Sequence, residues 1–352
     1  MTLRILAAGD HFVLNRLLID AVRAELPDSV AADVEFRELT LPWPLEPFGS
    51  IGEVDEASGG EDELIAALDG VEICVTQLAG LTERVLDASP SLRLFGVSRG
   101  GPVNANLKAA TEHQVAVTFA PGRNAVATAE HTMALTLAAM RRVPATHAEL
   151  RGGVWRGDLY QYEEVGPELD NATVGLIGYG AIGSRVARML NGFGASVLVH
   201  DPYLKPDQLD GVAELVGLDE LLHRSRVVSL HARVTEETTG MIGREQIAAM
   251  PPGSVLINCA RGALLDYGAV CDALDSGHLF GAGFDVFPEE PIPADSRLLR
   301  TPNIVMTPHL AGASKETAAK AARILAADVG RYLRGEPLAH CANPDALPSP
   351  AR

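Results

Sequence analysis

The sequence predicts an α/β protein of two domains, each a doubly wound parallel sheet. Three observations carry that expectation. The chain has 352 residues, enough for about two domains. Strand-like and helix-like segments alternate along most of it, the pattern of a parallel sheet covered by helices. The alternation breaks at Pro121-Gly122 and resumes as a second series.

In order, the patterning predicts strand Arg4–Ala8, helix Phe12–Leu26 ending before Pro27, and strand Val34–Leu39. Trp43–Gly60, rich in Pro, Gly and acid, reads as a loop. Helix Glu61–Leu68, strand Val71–Thr76, helix Leu81–Ala88, strand Leu92–Val97, helix Leu107–Glu112 and strand Val115–Phe119 complete the first series. A long helix is expected over about Ala125–Arg142, apolar on most faces, as in helices buried between domains or subunits. Gly152–Gly166 reads as an irregular arm bearing Trp155 and Tyr160. The second series runs from Thr173 to Thr307, followed by helix Lys315–Leu333 and a Pro-rich tail, Glu336–Arg352.

Lys and Arg number 29 against 46 Asp and Glu, a formal net charge of −17. General binding to nucleic acid or anionic membrane is disfavoured, because that affinity comes from clustered cations. Four cysteines, at 74, 259, 271 and 341, show no CxxC spacing, so neither a zinc site nor a redox pair is signalled. Reduced thiols in a cytoplasmic protein are expected. The N-terminus lacks the apolar run of a signal peptide and no stretch reaches the length of a membrane span.

The strongest motif follows strand Thr173–Ile177: Gly178-Tyr179-Gly180-Ala181-Ile182-Gly183, a GxGxxG. A helix then begins, and a second strand, Ala195–His200, ends at Asp201. Strand, glycines, helix, second strand and acid together predict dinucleotide binding. Gly178 permits the tight turn, Gly180 lets a pyrophosphate approach the backbone, and Gly183 lets helix and strand pack closely. The helix start offers N–H groups to phosphate, and Asp201 would accept hydrogen bonds from ribose hydroxyls.

Ligands of open parallel sheets sit outside the carboxyl ends of the strands. There the second series places Ala232-Arg233-Val234-Thr235 after Val227–His231, Cys259-Ala260-Arg261-Gly262 after Ser254–Asn258, Asp285 and Pro288-Glu289-Glu290-Pro291 after Gly281–Phe284, and Pro308-His309 after Ile304–Thr307. Arg261 suits a bidentate contact with a carboxylate. His309 can carry a proton near neutral pH. Glu290 beside it would favour the imidazolium and hold the ring. The set suits reduction of a carbonyl next to a carboxylate.

With Asn-Cys-Ala-Arg-Gly (258–262), Asp-Val-Phe-Pro-Glu-Glu-Pro (285–291) and Thr-Pro-His-Leu-Ala-Gly (307–312) following the glycine motif in order, the run Val174–Ser314 resembles the D-isomer-specific 2-hydroxyacid dehydrogenases, of phosphoglycerate dehydrogenase-like type. The N-terminal part resembles them more loosely, through Gly96–Gly101 and Asn124–Glu130. The resemblance implies a Rossmann NAD-binding domain, 123–310, and a discontinuous flavodoxin-like substrate domain, 1–122 plus 311–352. It implies Arg261, Glu290 and His309 as the catalytic set, and no metal. It implies that Gly178, Gly180, Ala181, Ile182, Gly183, Asp201, Thr235, Cys259, Ala260, Arg261, Asp285, His309 and Gly312 line NAD, with Asp285 holding the nicotinamide carboxamide. Gly100 and Gly101 amides would cradle the substrate carboxylate opposite Arg261. The helix from Ala125 and the arm through Trp155 resemble the family's dimer contacts, so a homodimer acting on a small 2-oxo or 2-hydroxy acid is expected.

Arg233 departs from the family, standing where proline is common. Arg99 and Arg123 flank the substrate turns. They are expected to bind substrate, either as cations for a second anionic group or, alternatively, as partners of cofactor-domain acids that hold the hinge. His11, His113, His131, His147, His200, His223, His278 and His340 are expected to be ordinary surface or core residues, whereas His231 closes a strand at the active edge. Two other functions fit the same frame: a non-catalytic NAD-sensing interaction protein, and a phosphite- or formate-type dehydrogenase. For formate a glutamine-type partner of the histidine would be expected where Glu290 stands.

Overall fold

A computed structural model describes residues 2–209 and 211–347 of the chain. Residues 348–352, the end of the expected tail, lie outside the described residues. The chain divides into two units, Met1–Asn124 with Ser314–Arg352, and Ala125–Ala313. Arg123 and Asn124 therefore belong to the first unit, and residues 311–313 to the second, two to three residues from the expected crossings.

The first unit contains β1 (Leu3–Gly9), α1 (Asn15–Glu25), the single turn α2 (Asp28–Ala31), β2 (Val34–Thr40), α3 (Glu61–Ala67), β3 (Ile73–Thr76), α4 (Glu83–Asp87), β4 (Leu94–Val97), α5 (Leu107–Glu112) and β5 (Ala116–Phe119). Its five strands are parallel in the order β2-β1-β3-β4-β5. Side chains alternate across the sheet. Leu6 and Ala8 of β1 join the apolar layer under α3, α4 and α5, while Ile5 and Ala7 join a layer with Leu18 and Val22 of α1 and with Leu325 and Val329 from the far end of the chain. The expected helix from Phe12 starts only at Asn15, because the Asp10 carboxylate accepts the Phe12 and Val13 amides and holds a turn there.

The second unit contains α6 (Ala125–Met140), α7 (Val143–Arg151), β6 (Thr173–Ile177), α8 (Gly183–Gly192), β7 (Ser196–His200), β8 (Glu214–Leu215), α9 (Leu218–Arg224), β9 (Val227–Leu230), α10 (Arg244–Ala248), β10 (Ser254–Asn258), α11 (Tyr267–Asp275), β11 (Leu279–Phe284) and β12 (Ile304–Met306). All seven strands are parallel, in the order β12-β11-β10-β9-β6-β7-β8. The two-residue β8 has too little pattern to be seen in sequence.

The expected helix over about Ala125–Arg142 is α6, which ends at Met140, and α7 after it lies where no element was expected. Arg142 adopts the left-handed conformation, φ +51°, and Pro144 stands at the start of α7. The apolar faces of α6 are answered within this unit, by β10, β11, β12 and α8. Finally α12 (Lys315–Leu333) returns to the first unit against α1. The tail then seals the β5 edge: Asn343 accepts the Val117 amide and donates to the Val115 carbonyl.

Candidate active site

The glycine turn meets the geometric demands of a dinucleotide. Gly178 has φ +98°, and a Cβ there would lie 2.7 Å from the His231 carbonyl. A Cβ on Gly183 would lie 2.3 Å from the Gly178 oxygen, so only glycine lets α8 start this close to β6. At Gly180, in contrast, a Cβ would meet open space. Ile182 precedes α8 with no side-chain cap and no acid follows in its first turn, leaving the helix start to an anion. Asp201 directly follows β7, with one oxygen accepting the Tyr179 amide at 2.9 Å and the other the Tyr203 amide at 3.1 Å. Each keeps lone-pair capacity for a hydroxyl. The residues present therefore fit NAD.

At the carboxyl end of β10, Asn258 shapes the loop that presents Arg261. Its Oδ1 accepts the Ala260 amide, and its Nδ2 donates to the Arg261 carbonyl at 3.0 Å. The Tyr267 hydroxyl joins Asn258 and donates to the Val286 carbonyl, tying this loop to the next. Burial pushes the Tyr267 hydroxyl above its ordinary value. A Cβ on Gly262 would lie 2.0 Å from the Phe287 oxygen, so the two loops touch through bare backbone. The Cys259 thiol, buried, is pushed up to about 12 and stays protonated.

Asp285 directly follows β11. It is 1% exposed. Oδ1 accepts from the Thr307 hydroxyl at 2.6 Å and the Leu310 amide at 2.9 Å, and Oδ2 accepts the Ala311 amide at 2.8 Å. Three of its acceptor sites thus hold the 307–311 loop, where a cofactor contact alone was expected. His309, between those anchors, is left-handed at φ +50° and donates its own amide to the Asp285 carbonyl. Its Nδ1 lies 2.7 Å from Glu290 Oε2, while Glu290 Oε1 accepts the Phe287 amide at 2.9 Å. Burial acts to raise the Glu290 carboxyl. The His309 hydrogen bond, the Phe287 amide and the charges of His309 and Arg261 outweigh it and hold the group below its ordinary value. Arg261, Glu290 and His309 are thus brought to one place.

Other expected residues are less engaged. Thr235 is exposed, its hydroxyl held in its own turn by Glu237 and Thr238. Arg233 is exposed, and its carbonyl accepts the Thr238 hydroxyl. His231 bonds Ser229 at 3.0 Å, and burial pushes its imidazole down to about 4. It is neutral near pH 7 and a poor proton donor. Ala181 and Ile182 directly precede α8, and Gly312 lies in the loop that follows β12. In the first unit, Arg99 is ion-paired with Glu56 and continues into exposed Gly100 and half-buried Gly101, at each of which a Cβ would meet open space. Burial, then the charge of Arg99, lowers Arg123 to about 10, with Asp10 opposing. Asn258, Tyr267 and Thr307 were not singled out from sequence. Nor was His131 of α6, whose Nε2 lies 2.9 Å from the Thr307 hydroxyl. Asn258 and Thr307 lie inside or beside the quoted motifs, the only signal they carried.

The comparisons agree with this geometry. Residues 133–311 match the model of the D-isomer specific 2-hydroxyacid dehydrogenase NAD-binding domain. The chain is 36% identical to a glyoxylate reductase of Korarchaeum cryptofilum over 80% of this chain and 86% of that one. It is 36% identical to a D-3-phosphoglycerate dehydrogenase of Methanocaldococcus jannaschii over 81% of this chain, spanning 54% of the relative. A D-lactate dehydrogenase of Treponema pallidum superposes with TM-score 0.78 at 25% identity, over 96% of this chain and 99% of that one. With the nucleotide cradle and the Arg261–Glu290–His309 cluster in place, the chain belongs to the NAD-dependent D-isomer specific 2-hydroxyacid dehydrogenases.

Proposed function

We propose that the chain interconverts a 2-oxo acid and a D-2-hydroxy acid, with the second unit holding NAD, the first binding substrate, and His309 carrying the proton. The observation that carries this reading is the His309–Glu290 hydrogen bond of 2.7 Å. Because Glu290 engages Nδ1, the ring is held in one orientation and Nε2 is left to deliver or take the proton. NAD, when bound, supplies or accepts the hydride at the carbonyl carbon. In the reducing direction the carbonyl oxygen takes the His309 proton. Arg261, a permanent cation on a loop braced by Asn258, grips the substrate carboxylate and turns the carbonyl towards His309. Gly100 and Gly101 of the first unit, where an added Cβ would meet nothing within 4 Å, are that unit's candidate amides for a substrate carboxylate.

Among the described residues no helix is long and apolar enough to cross a membrane. The homodimer reading rests on the arm, since α6 is covered within its own unit. Trp155, Tyr160 and Tyr162 are 82%, 91% and 88% exposed, with Val154 and Val165 nearby, an apolar surface suited to a second copy. A monomeric mass at micromolar concentration would remove it.

The test of function is NADH oxidation against a panel of 2-oxo acids, including glyoxylate, pyruvate and 3-hydroxypyruvate. Turnover with at least one is expected. No oxidation with any of them, alongside tight NADH binding, would overturn the reading in favour of an NAD-sensing protein.

A further inference from the structure

The loop that carries His309 is fastened from two sides. From the end of β11, Asp285 takes the Thr307 hydroxyl and the Leu310 and Ala311 amides. From α6, His131 reaches the same Thr307 hydroxyl, with Nε2 at 2.9 Å. All of these residues lie in the second unit. The proposed reaction gives the proton to His309 and sets no task for His131.

The order of donors decides what His131 does. Asp285 Oδ1 takes the Leu310 amide as well as the Thr307 hydroxyl, so it acts as an acceptor only. The single Thr307 hydroxyl proton is committed to that 2.6 Å bond. The Thr307 oxygen can then only accept from the imidazole, which places the ring proton of His131 on Nε2. The result is a directed chain, from Nε2–H through the Thr307 hydroxyl to Asp285. Bonds in such a chain polarise and strengthen one another. The same Nε2 stands 3.7 Å from Asp285 Oδ1.

The loop needs this fastening. His309 is not glycine, yet it holds φ +50°, a conformation that persists only where the surroundings enforce it. Its amide is bonded to the Asp285 carbonyl, so its place follows the residue at the end of the chain. The other end is firm, because α6 is packed against β10, β11 and β12.

Resting on the role proposed for His309, we infer that His131 is a positioning residue of the reaction, whose Nε2–H, acting through the Thr307 hydroxyl and Asp285, sets where His309 stands.

Two variants separate the donor from the ring. His131→Phe keeps an aromatic ring and loses Nε2–H. His131→Gln loses the ring and keeps an amide donor at about the same reach. With NADH and whichever 2-oxo acid is turned over fastest, His131→Phe should lower kcat about tenfold, while the NADH dissociation constant moves less than about threefold, as expected when a reacting group is displaced by a fraction of an ångström. His131→Gln should keep kcat within about threefold of the unmodified enzyme. A ring that only filled space would reverse the order of the two variants. In a Thr307→Val background, where the chain is already broken, His131→Phe should change kcat by less than about twofold. Thermal unfolding of each variant checks folding. Imidazole nitrogen NMR of the unmodified, unliganded protein above neutral pH, with the His131 signal assigned from His131→Gln, should show the Nε2–H tautomer. That readout stands whatever the variants do. Full turnover in His131→Phe, a Gln variant no better than the Phe variant, an undiminished effect in Thr307→Val, or an Nδ1–H tautomer would each overturn the inference. Where His309→Ala still abolishes turnover, the proposed function survives that outcome. Near-normal turnover in His309→Ala, or turnover of no 2-oxo acid at all, would remove both.

Discussion

The carboxyl edges of the two sheets are built on opposite plans. On the seven-stranded sheet, Asn258, Asp285 and Glu290 each spend both oxygens or their whole amide within the protein, and the loops they hold are locked before any ligand arrives. On the five-stranded sheet, Asp10, Gln77, Ser98 and Arg123 keep polar atoms without partners. On the proposed function, the locked edge is the one that handles the proton. Proton transfer needs groups fixed to within a fraction of an ångström.

The locked edge should therefore give the largest losses when disturbed. Cofactor choice comes first. Asp201 would face the 2′-phosphate of NADP, and a close like-charge contact costs several kcal/mol. No arginine follows at 202 or 203, and Lys205 is the nearest cation in sequence. Catalytic efficiency should strongly favour NADH, and parity with NADPH would break this half of the comparison. Next is His309→Ala, expected to lower kcat by roughly 100-fold or more with little change in the NADH dissociation constant. Near-normal turnover would show that the proton travels elsewhere.

Asp285→Asn sharpens the comparison further. It would set an NH2 donor among the Thr307, Leu310 and Ala311 donors, and should cost about 3 kcal/mol in denaturant unfolding as well as turnover. Unchanged stability would mean that the loop is not held as described. The smallest effect belongs to His231. Its folded imidazole is lowered to about 4, so between the ordinary value of 6.5 and 4 the unfolded chain binds the proton and the folded chain does not. Stability should thus fall as pH drops through this window. His231→Gln should remove that part of the slope, roughly 1 kcal/mol by pH 5 because the ring is only partly enclosed. Parallel stability profiles would refute it.

Much of this was legible in the residues themselves. The alternating elements, the glycine turn and the strand-end Arg261, Glu290 and His309 depend on local periodicity and on short motifs, which the chain carries in order. The ends of helices were less legible. The turn held by Asp10 delays α1 to Asn15, and left-handed Arg142 divides α6 from α7, because both depend on single hydrogen bonds or dihedral angles rather than on pattern. Tertiary structure alone decided three matters. It gave Asp285 a loop to hold, since the Leu310 and Ala311 amides lie 25 and 26 residues away. It covered α6 with the sheet of its own unit, moving the argument for a dimer to the exposed aromatic arm. It also set Glu56 against Arg99 and Asp10 near Arg123. The sequence left these arginines open between a second substrate anion and acids of the cofactor domain, whereas the acids near them belong to their own unit; neutralisation depends on which carboxylates the fold brings within reach, and sequence separation does not report that distance.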